Sequence, residues 1–486
     1  GLPLVDEGAY TFSIFCDDSS ESGEFIMLDE FKKQTNVDVD LKIYPYETAT
    51  ERLNLDLNSG DYADVIGGWT LSDNAILTYG VNQGVFIPLE DYFEKYCPNI
   101  SAILDLPGVR EKMTAPDGHI YTIPYVCADS TVGYSPYINT KWLENVGMSM
   151  PTTTDEFEAV LKAFKEQDAN GNGDASDEIP FSTDPNNKHI EAMAGYFGLP
   201  MNKLGIAIQN EKVVYGGVSD TYREFLSWFH KLYAEGLVDV ELYTQDSSTW
   251  EGKGNQDLYG VSIAYGSGEF TGIPAAEERG DFDSMPVLNT DKDGIWLRDT
   301  EGFSVYRTQA VITNKAEHPE IICRWFDNAF ALENGIGCNR GPVGVIVNKE
   351  DDGYHAIDTT TLSEEDQEKY SWGNLWPQSL PKYLPADFEF VEEHPMYDEK
   401  KATEEAYEAN LTKEIIPSYW IDLDKIDTFS DTNTAIKDFF EQQQAQFVCG
   451  ELDIDNDADW QAYVDGMYSL GLEDWVATQG IEEIAK

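Results

Sequence analysis

The chain has 486 residues, 41% hydrophobic and 25% charged, enough for about three average domains and too long for one small module. Ninety Asp and Glu against 32 Lys and Arg give a formal charge of −58 at pH 7 and an isoelectric point near 4.1. That balance lacks the clustered cations that nucleic acid or an anionic membrane surface would require, and it favours a solvated, self-repelling surface.

Aromatic residues are 13% of the chain, including 27 Tyr and 11 Trp, a high share beside a mean hydropathy of −0.42. Trp and Tyr offer flat apolar faces with a polar edge, which suits polyhydroxylated ligands. The cysteines (Cys16, Cys97, Cys127, Cys323, Cys338, Cys449) form no CxxC and no Cys/His cluster. They read as buried free thiols, with Cys323 and Cys338 the only candidate pair for a bridge. No apolar run is long enough to span a membrane, and Gly1 to Ala9 is polar, so a mature soluble chain is expected.

In chain order, Tyr10 to Cys16 reads as a short strand, and Phe25, Leu28 and Phe31 recur at helical spacing. Val37, Val39, Leu41 and Ile43 alternate with polar residues, the mark of a half-buried strand. A second helix should end at Gly60, and Asp64 to Gly68 reads as a third strand. This strand and helix alternation predicts a parallel sheet with ligand-facing residues at the carboxyl ends of the strands. Those residues are Asp17 to Ser19 and Trp69 to Asp73.

Thr122 to Ile138 is extended, and Thr153 with Glu156 forms a capping box before the Phe157, Val160, Leu161, Phe164 stripe. The stripe recurs from Tyr222 to Tyr233, stopped by Gly236. A glycine-bounded strand follows at Tyr259 to Gly268, and Val305 to Asn314 is again extended. Pro319 opens a further helix. The extended segments near 130 and 306 read as crossings between two α/β lobes. Tyr354 to Asp398 is the least regular stretch, and irregular segments of this length are often functional.

The run YINTKWLENVGMSMPTTTDEFEAVLKAFKEQDANGNGDASDEIP, Tyr137 to Pro180, resembles the family 1 extracellular solute-binding proteins of ABC importers, in particular the large lipoprotein-type oligosaccharide binders of Gram-positive bacteria. The likeness continues at Ile312 to Phe330 and at Ala445 to Trp475. It implies an α/β, two-lobed fold of the periplasmic-binding-protein type II class, with hinge strands and a ligand cleft at the lobe interface. The expected lobes are 1–132 with 307–346 and 133–306 with 347–486. The resemblance also implies permease subunits as partners, a monomeric binder, and an extracytoplasmic, lipid-anchored location whose leader and anchor residues lie outside this chain.

For the ligand, the resemblance implies that the loop carrying Trp69 and Asp73 contributes to the cleft, with Tyr125, Asp129 and Tyr265. Asp17 is added by its place at a strand end, and Trp250 and Trp372 by their irregular surroundings. Trp142, Trp325 and Trp460 lie on helical stripes and are assigned to packing. The net charge favours a neutral oligosaccharide, unless Arg298 or Arg340 focuses on an anion.

The strongest chemical motif is Asp168-Ala-Asn170-Gly-Asn172-Gly173-Asp174-Ala-Ser176-Asp177-Glu178. Oxygen side chains at positions 1, 3 and 5 with Gly at 6 match a calcium loop. Asp168, Asn170, Asn172, Asp174, Ser176, Asp177 and Glu178 are the candidate ligands of a structural Ca²⁺, with Asp177 and Glu178 both open as the bidentate residue. Pro180 forbids the exiting helix of an EF-hand. A second acidic run, Asp453, Asp455, Asp457 and Asp459, lacks the glycine and precedes a helix, where carboxylates cap. A secreted glycoside hydrolase is the rival reading, with its paired carboxylates. GxSxG, HExxH, GxxxxGK[ST] and metal-spaced histidines are all absent from the sequence, so a binding protein without catalysis is expected.

Overall fold

The alternating run at Val37 becomes strand β2 (Val37–Tyr44), parallel to β1 (Tyr10–Asp17), with Tyr10 opposite Val37 and Asp17 opposite Tyr44. Between them α1 (Ile26–Thr35) buries Met27 and Phe31. Helix α2 (Tyr46–Ser59) ends at Gly60 in the left-handed region, as its sequence demands. β3 (Val65–Gly67) pairs with the other side of β1, and the strand Ala310–Ile312 adds an antiparallel edge to β3. β1 is thus internal, and its Ile14, Phe15 and Cys16 are fully buried, as a strand covered on both faces requires.

The computed structural model describes residues 1–18, 24–184, 189–272, 281–385, 388–391 and 396–485. The chain divides into two compact units. The first is Gly1–Asp129, Gly302–His394 and Trp420–Ile426, and the second is Ser130–Glu301, Pro395–Tyr419 and Asp427–Lys486. Residues 347–394 therefore belong with the first unit, against the expected boundary. The cause is apolar packing: Trp376 stacks on Trp325 at 5.7 Å and lies 5.1 Å from Phe31, with Leu380 in the same core. The chain passes between the units at 129–130 and 301–302, and again at 394–395, 419–420 and 426–427. The extended segment after 302 is split into Phe303–Tyr306, paired with Tyr125–Ala128, and Ala310–Ile312 in the main sheet.

The second unit holds a sheet ordered Phe282–Ser284, Ser135–Asn139, Tyr259–Ala264, Ile179–Thr183, parallel only in its last pair. The helix Thr154–Glu166 packs its predicted stripe into the core with Phe225 and Phe229 of the helix Asp220–Ala234. Its cap differs in one half. Thr153 Oγ1 accepts from the Glu156 N–H at 3.2 Å, but the Glu156 carboxylate turns to the N–H and hydroxyl of Thr152, both at 2.8 Å. Trp142 and Trp460 lie in this core and Trp325 in that of the first unit. All six thiols are free, so Cys323 and Cys338 form no bridge. Among the described residues no helix is long and apolar enough to cross a membrane.

Candidate functional site

Because β1 and β3 run parallel, their carboxyl ends lie side by side, and the chain leaving β3 turns over the end of β1. Gly68 has φ +135, and a Cβ there would collide with the Asp17 carboxylate. Asp17 accepts the backbone N–H groups of Trp69 at 3.0 Å and Thr70 at 2.6 Å. It is fully buried, and that burial holds its carboxyl above the usual range. Asp17 therefore lies buried beneath the loop and shapes it as a backbone acceptor, where its place at a strand end marked it for ligand.

The loop leaves the Trp69 indole 46% exposed, an unusual state for the largest apolar side chain. Its ring stands edge-on to Tyr306 at 5.2 Å and tilted to Tyr125 at 6.3 Å, while Tyr125 and Tyr306 are 5.4 Å apart. Asp129 fixes the trio by accepting from Tyr306 OH at 3.0 Å and Ser304 Oγ at 2.6 Å. Asp73 faces Arg307, whose Nε and Nη2 reach its two oxygens at 2.9 and 2.5 Å. Arg307 in turn lies 4.1 Å over the Trp420 ring. Trp372, 51% exposed, has the Lys382 ammonium 5.3 Å from its ring centre. Tyr306 was not anticipated; its segment reads in sequence as a crossing, and only strand pairing shows that Tyr306 stands opposite Tyr125.

In the second unit Tyr265 follows the strand Tyr259–Ala264. Its N–H donates to Glu269 Oε2 at 2.9 Å, and its carbonyl accepts from Lys400 Nζ at 2.7 Å. The same ammonium lies 4.0 Å over the Tyr265 ring. Tyr134 stands edge-on to Tyr265 at 6.1 Å and stacks on His189 at 4.0 Å. Burial pushes Glu269 up to about 7 and Lys400 down to about 8. Burial also lowers His189 to about 4. Tyr134, His189, Glu269 and Lys400 come from four separate stretches of chain, and no spacing in the sequence links them. Trp250 is corrected to a core residue. It is 2% exposed, packs on Phe270 at 5.6 Å, and donates its indole N–H to Ser262 Oγ at 3.1 Å.

The acidic loop after the helix Thr154–Glu166 turns on itself through side-chain oxygens. Asp168 Oδ2 accepts from the Gly173 N–H, Asn170 Oδ1 from Asn172, Asn172 Oδ1 from Asp174, and Asp174 Oδ1 from Ser176. Gly173 takes φ +94, the sharp turn the motif needs at its sixth position. Asp177 spends both oxygens on the Asn170 and Asn172 amides, at 3.1 and 2.7 Å. Glu178 accepts from the Ala169 N–H at 2.8 Å through Oε1. Glu178 Oε2 and Asp168 Oδ1 are buried with no hydrogen-bond partner. Two stranded anionic acceptors at the ends of one loop are the chemistry a hard cation would satisfy. Burial raises the Glu178 carboxyl above the usual range.

The run Asp453 to Asp459 behaves as a helix entrance. Asp459 accepts from the Asp453 N–H at 3.0 Å, Asn456 caps the helix Asp457–Ser469, and Asp457 pairs with Arg223 at 2.8 Å. Among the described residues, three acidic or imidazole groups with ligand atoms within 4.8 Å of one another occur at Glu350, Asp352 and His355. These lie on the hairpin Val347–Glu350, Gly353–Ala356. Arg298 pairs with Glu408 at 3.0 Å and Arg340 lies 5.6 Å over Phe390.

Comparison with known proteins follows this geometry. The fructooligosaccharide ABC transporter substrate-binding protein FusA of Streptococcus pneumoniae serotype 4 is 33% identical over 335 residues, which are 67% of this chain and 61% of that protein. The chain thus spans about three fifths of that curated relative. The structure of Streptococcus pneumoniae FusA in complex with kestose matches with a TM-score of 0.84 at 26% identity, covering 96% of this chain and 98% of the other. An EF-hand mutant of FusA in complex with fructo-nystose matches at 0.82 and 27%, with the same coverage. The fold is accordingly the two-domain, periplasmic-binding type. Residues 19–335 match the family described as bacterial extracellular solute-binding protein. That match takes in well over half of the 486 residues, and the protein belongs to the bacterial extracellular solute-binding proteins.

Proposed function

We propose that the chain binds a neutral extracellular oligosaccharide without turning it over and delivers it to the permease subunits of an ABC importer. The observation that carries this reading is Trp69, a half-exposed indole on a loop whose backbone Asp17 hydrogen-bonds, backed by Tyr125 and Tyr306. Such a ring stacks on the apolar face of a sugar, and buried or half-buried polar groups nearby would satisfy hydroxyls that would otherwise be stranded. In the second unit Tyr265 and Tyr134 offer a comparable aromatic pair. Fructooligosaccharides are the first class to test, given the likeness to FusA and its kestose complex. The protein acts as a monomer on the outer face of the membrane, held there by a lipid.

A structural Ca²⁺ belongs to the same reading, held by Asp168, Asn170, Asn172, Asp174, Ser176 and the acids at 177 and 178. The stranded Glu178 Oε2 favours Glu178 as the bidentate residue, and the EF-hand mutant of the relative FusA supports the site. The cation would pin the end of the helix Thr154–Glu166 to the strand Ile179–Thr183 and supply no catalysis.

The test is titration calorimetry of the full chain with kestose, nystose and a panel of neutral saccharides. Micromolar binding is expected, about −8 kcal/mol, with the saccharide recovered intact. Binding of amino acids or peptides and of no saccharide would refute the substrate class.

A further inference from the structure

Asp17 ends β1 and Asp18 follows it, and each fastens one aromatic-bearing loop in the first unit. Asp17 takes the Trp69 loop, and Asp18 Oδ2 accepts the backbone N–H of Gln378 at 2.8 Å. Gln378 then acts as a hub. Its Nε2 donates to the carbonyls of Trp372 at 2.8 Å and Trp376 at 3.0 Å, and its Oε1 accepts from Lys382 Nζ at 2.7 Å. Ser379 donates to the Asp17 carbonyl, and Gln309 Nε2 donates to the Ser379 carbonyl at 2.6 Å. The irregular stretch around 372–382 is therefore bolted to the carboxyl end of β1.

Lys382 is 2% exposed, a costly place for an ammonium. Its contacts are an amide oxygen and, at 5.3 Å from the ring centre, the Trp372 indole. A cation at one face fixes the tilt of a ring. Since Trp372 remains 51% exposed, the surface it offers to solvent is the face away from Lys382.

We propose that Lys382 is the positioning residue of a second stacking surface on the first unit, holding Trp372 so that it takes a further ring of a saccharide and favours longer chains. The inference rests on the saccharide-binding reading above. Trp69 and Trp372, each on a loop tied to one of two consecutive carboxylates, would take different rings of one ligand. The ammonium must stay charged to hold the indole. Burial pushes its pKa down to about 8; Cys338, Cys127 and Asp18 oppose that push and Arg340 adds to it.

The experiment is calorimetry of the full chain with sucrose, kestose and nystose, beside the variants Lys382→Met, Lys382→Arg and Trp372→Ala. Trp372 is exposed, so its variant folds even where Lys382→Met does not. Parent affinity should rise with chain length. Lys382→Met and Trp372→Ala should bind nystose roughly fivefold more weakly while sucrose changes little, and Lys382→Arg should restore the preference. Raising pH from about 7 to about 9 should weaken nystose binding by the parent and not by Lys382→Arg. Equal losses for every chain length, or unchanged nystose affinity in Trp372→Ala, would overturn the inference while leaving saccharide binding intact. A parent that binds none of the three, nor any other neutral saccharide, overturns the underlying reading as well.

Discussion

Calcium should stabilise the second unit, and the effect should carry a pH signature written by Glu178. The residue is 9% exposed, and its carboxyl has one oxygen without a partner and is raised by burial. An acid whose folded pKa is raised lowers stability once the pH passes its unfolded value, about 4.3, and the full penalty is reached above the folded pKa. A bound cation cancels that penalty, so the calcium increment should grow from pH 4 to 7. At a calcium concentration a hundredfold above its Kd the increment is about 2.7 kcal/mol. For a unit of some 250 residues that is a rise of about 5 to 10 °C in unfolding midpoint. Differential scanning fluorimetry in metal-free buffer, with calcium and with chelator, reads this directly. Glu178→Gln separates the causes: it should lose the calcium response while its metal-free midpoint at pH 7 equals or exceeds the parent's. A chelator-insensitive parent, or a Glu178→Gln protein that keeps the whole calcium shift, would refute the reasoning.

Two further outcomes follow from the aromatic sites. Trp69→Ala should cost about 2 kcal/mol of saccharide affinity, part of an indole's 150–250 Å² at about 25 cal/mol per Å², with little loss of stability. Trp250→Ala should do the reverse and cost about 3 to 5 kcal/mol of stability; calorimetry and urea unfolding on the two variants check both. Glu269, raised by burial to about 7 with Asp184 and Glu251 adding to the rise and Lys400 opposing it, should make stability fall as pH climbs from its unfolded value to about 7. Glu269→Gln should flatten that slope, and a parallel slope in urea midpoints would exclude the assignment.

How much of this was legible in the sequence depended on whether the signal was local. The alternation at Val37 to Ile43, the glycine after α2 and the Phe157 to Phe164 stripe were readable because period and capping are set by near neighbours. The exposure of Trp69 was readable too, since a tryptophan after a strand end and two glycines is a poor core candidate. The burial of Asp17 was hidden for a long-range reason. Its place at a strand end marks it for ligand, and only the approach of the β3 loop, some fifty residues on, converts it into a buried acceptor. Trp250 was hidden likewise: its helix has little amphipathic pattern, and its burial is decided by Phe270 and Ser262. The 347–394 boundary was missed because the cohesion comes from Trp376 against Trp325 and Phe31, contacts that local composition does not encode.

The way the chain uses its cations bears on the ligand's charge. With only 32 Lys and Arg against 90 acids, a site for an anion would need its few positive groups turned toward the ligand. Instead, the cations at the candidate residues lie against rings. In the first unit Arg307 covers Trp420 at 4.1 Å and binds Asp73, and Lys382 lies beneath Trp372 at 5.3 Å. In the second, Lys400 covers Tyr265 at 4.0 Å while donating to backbone carbonyls. Each is engaged by an acceptor and an aromatic face, and Arg307 and Lys382 are buried as well, so the charge goes into fixing a ring. On the reading proposed above, rings fixed from one side would favour flat apolar surface edged by hydroxyls, the chemistry of a neutral sugar.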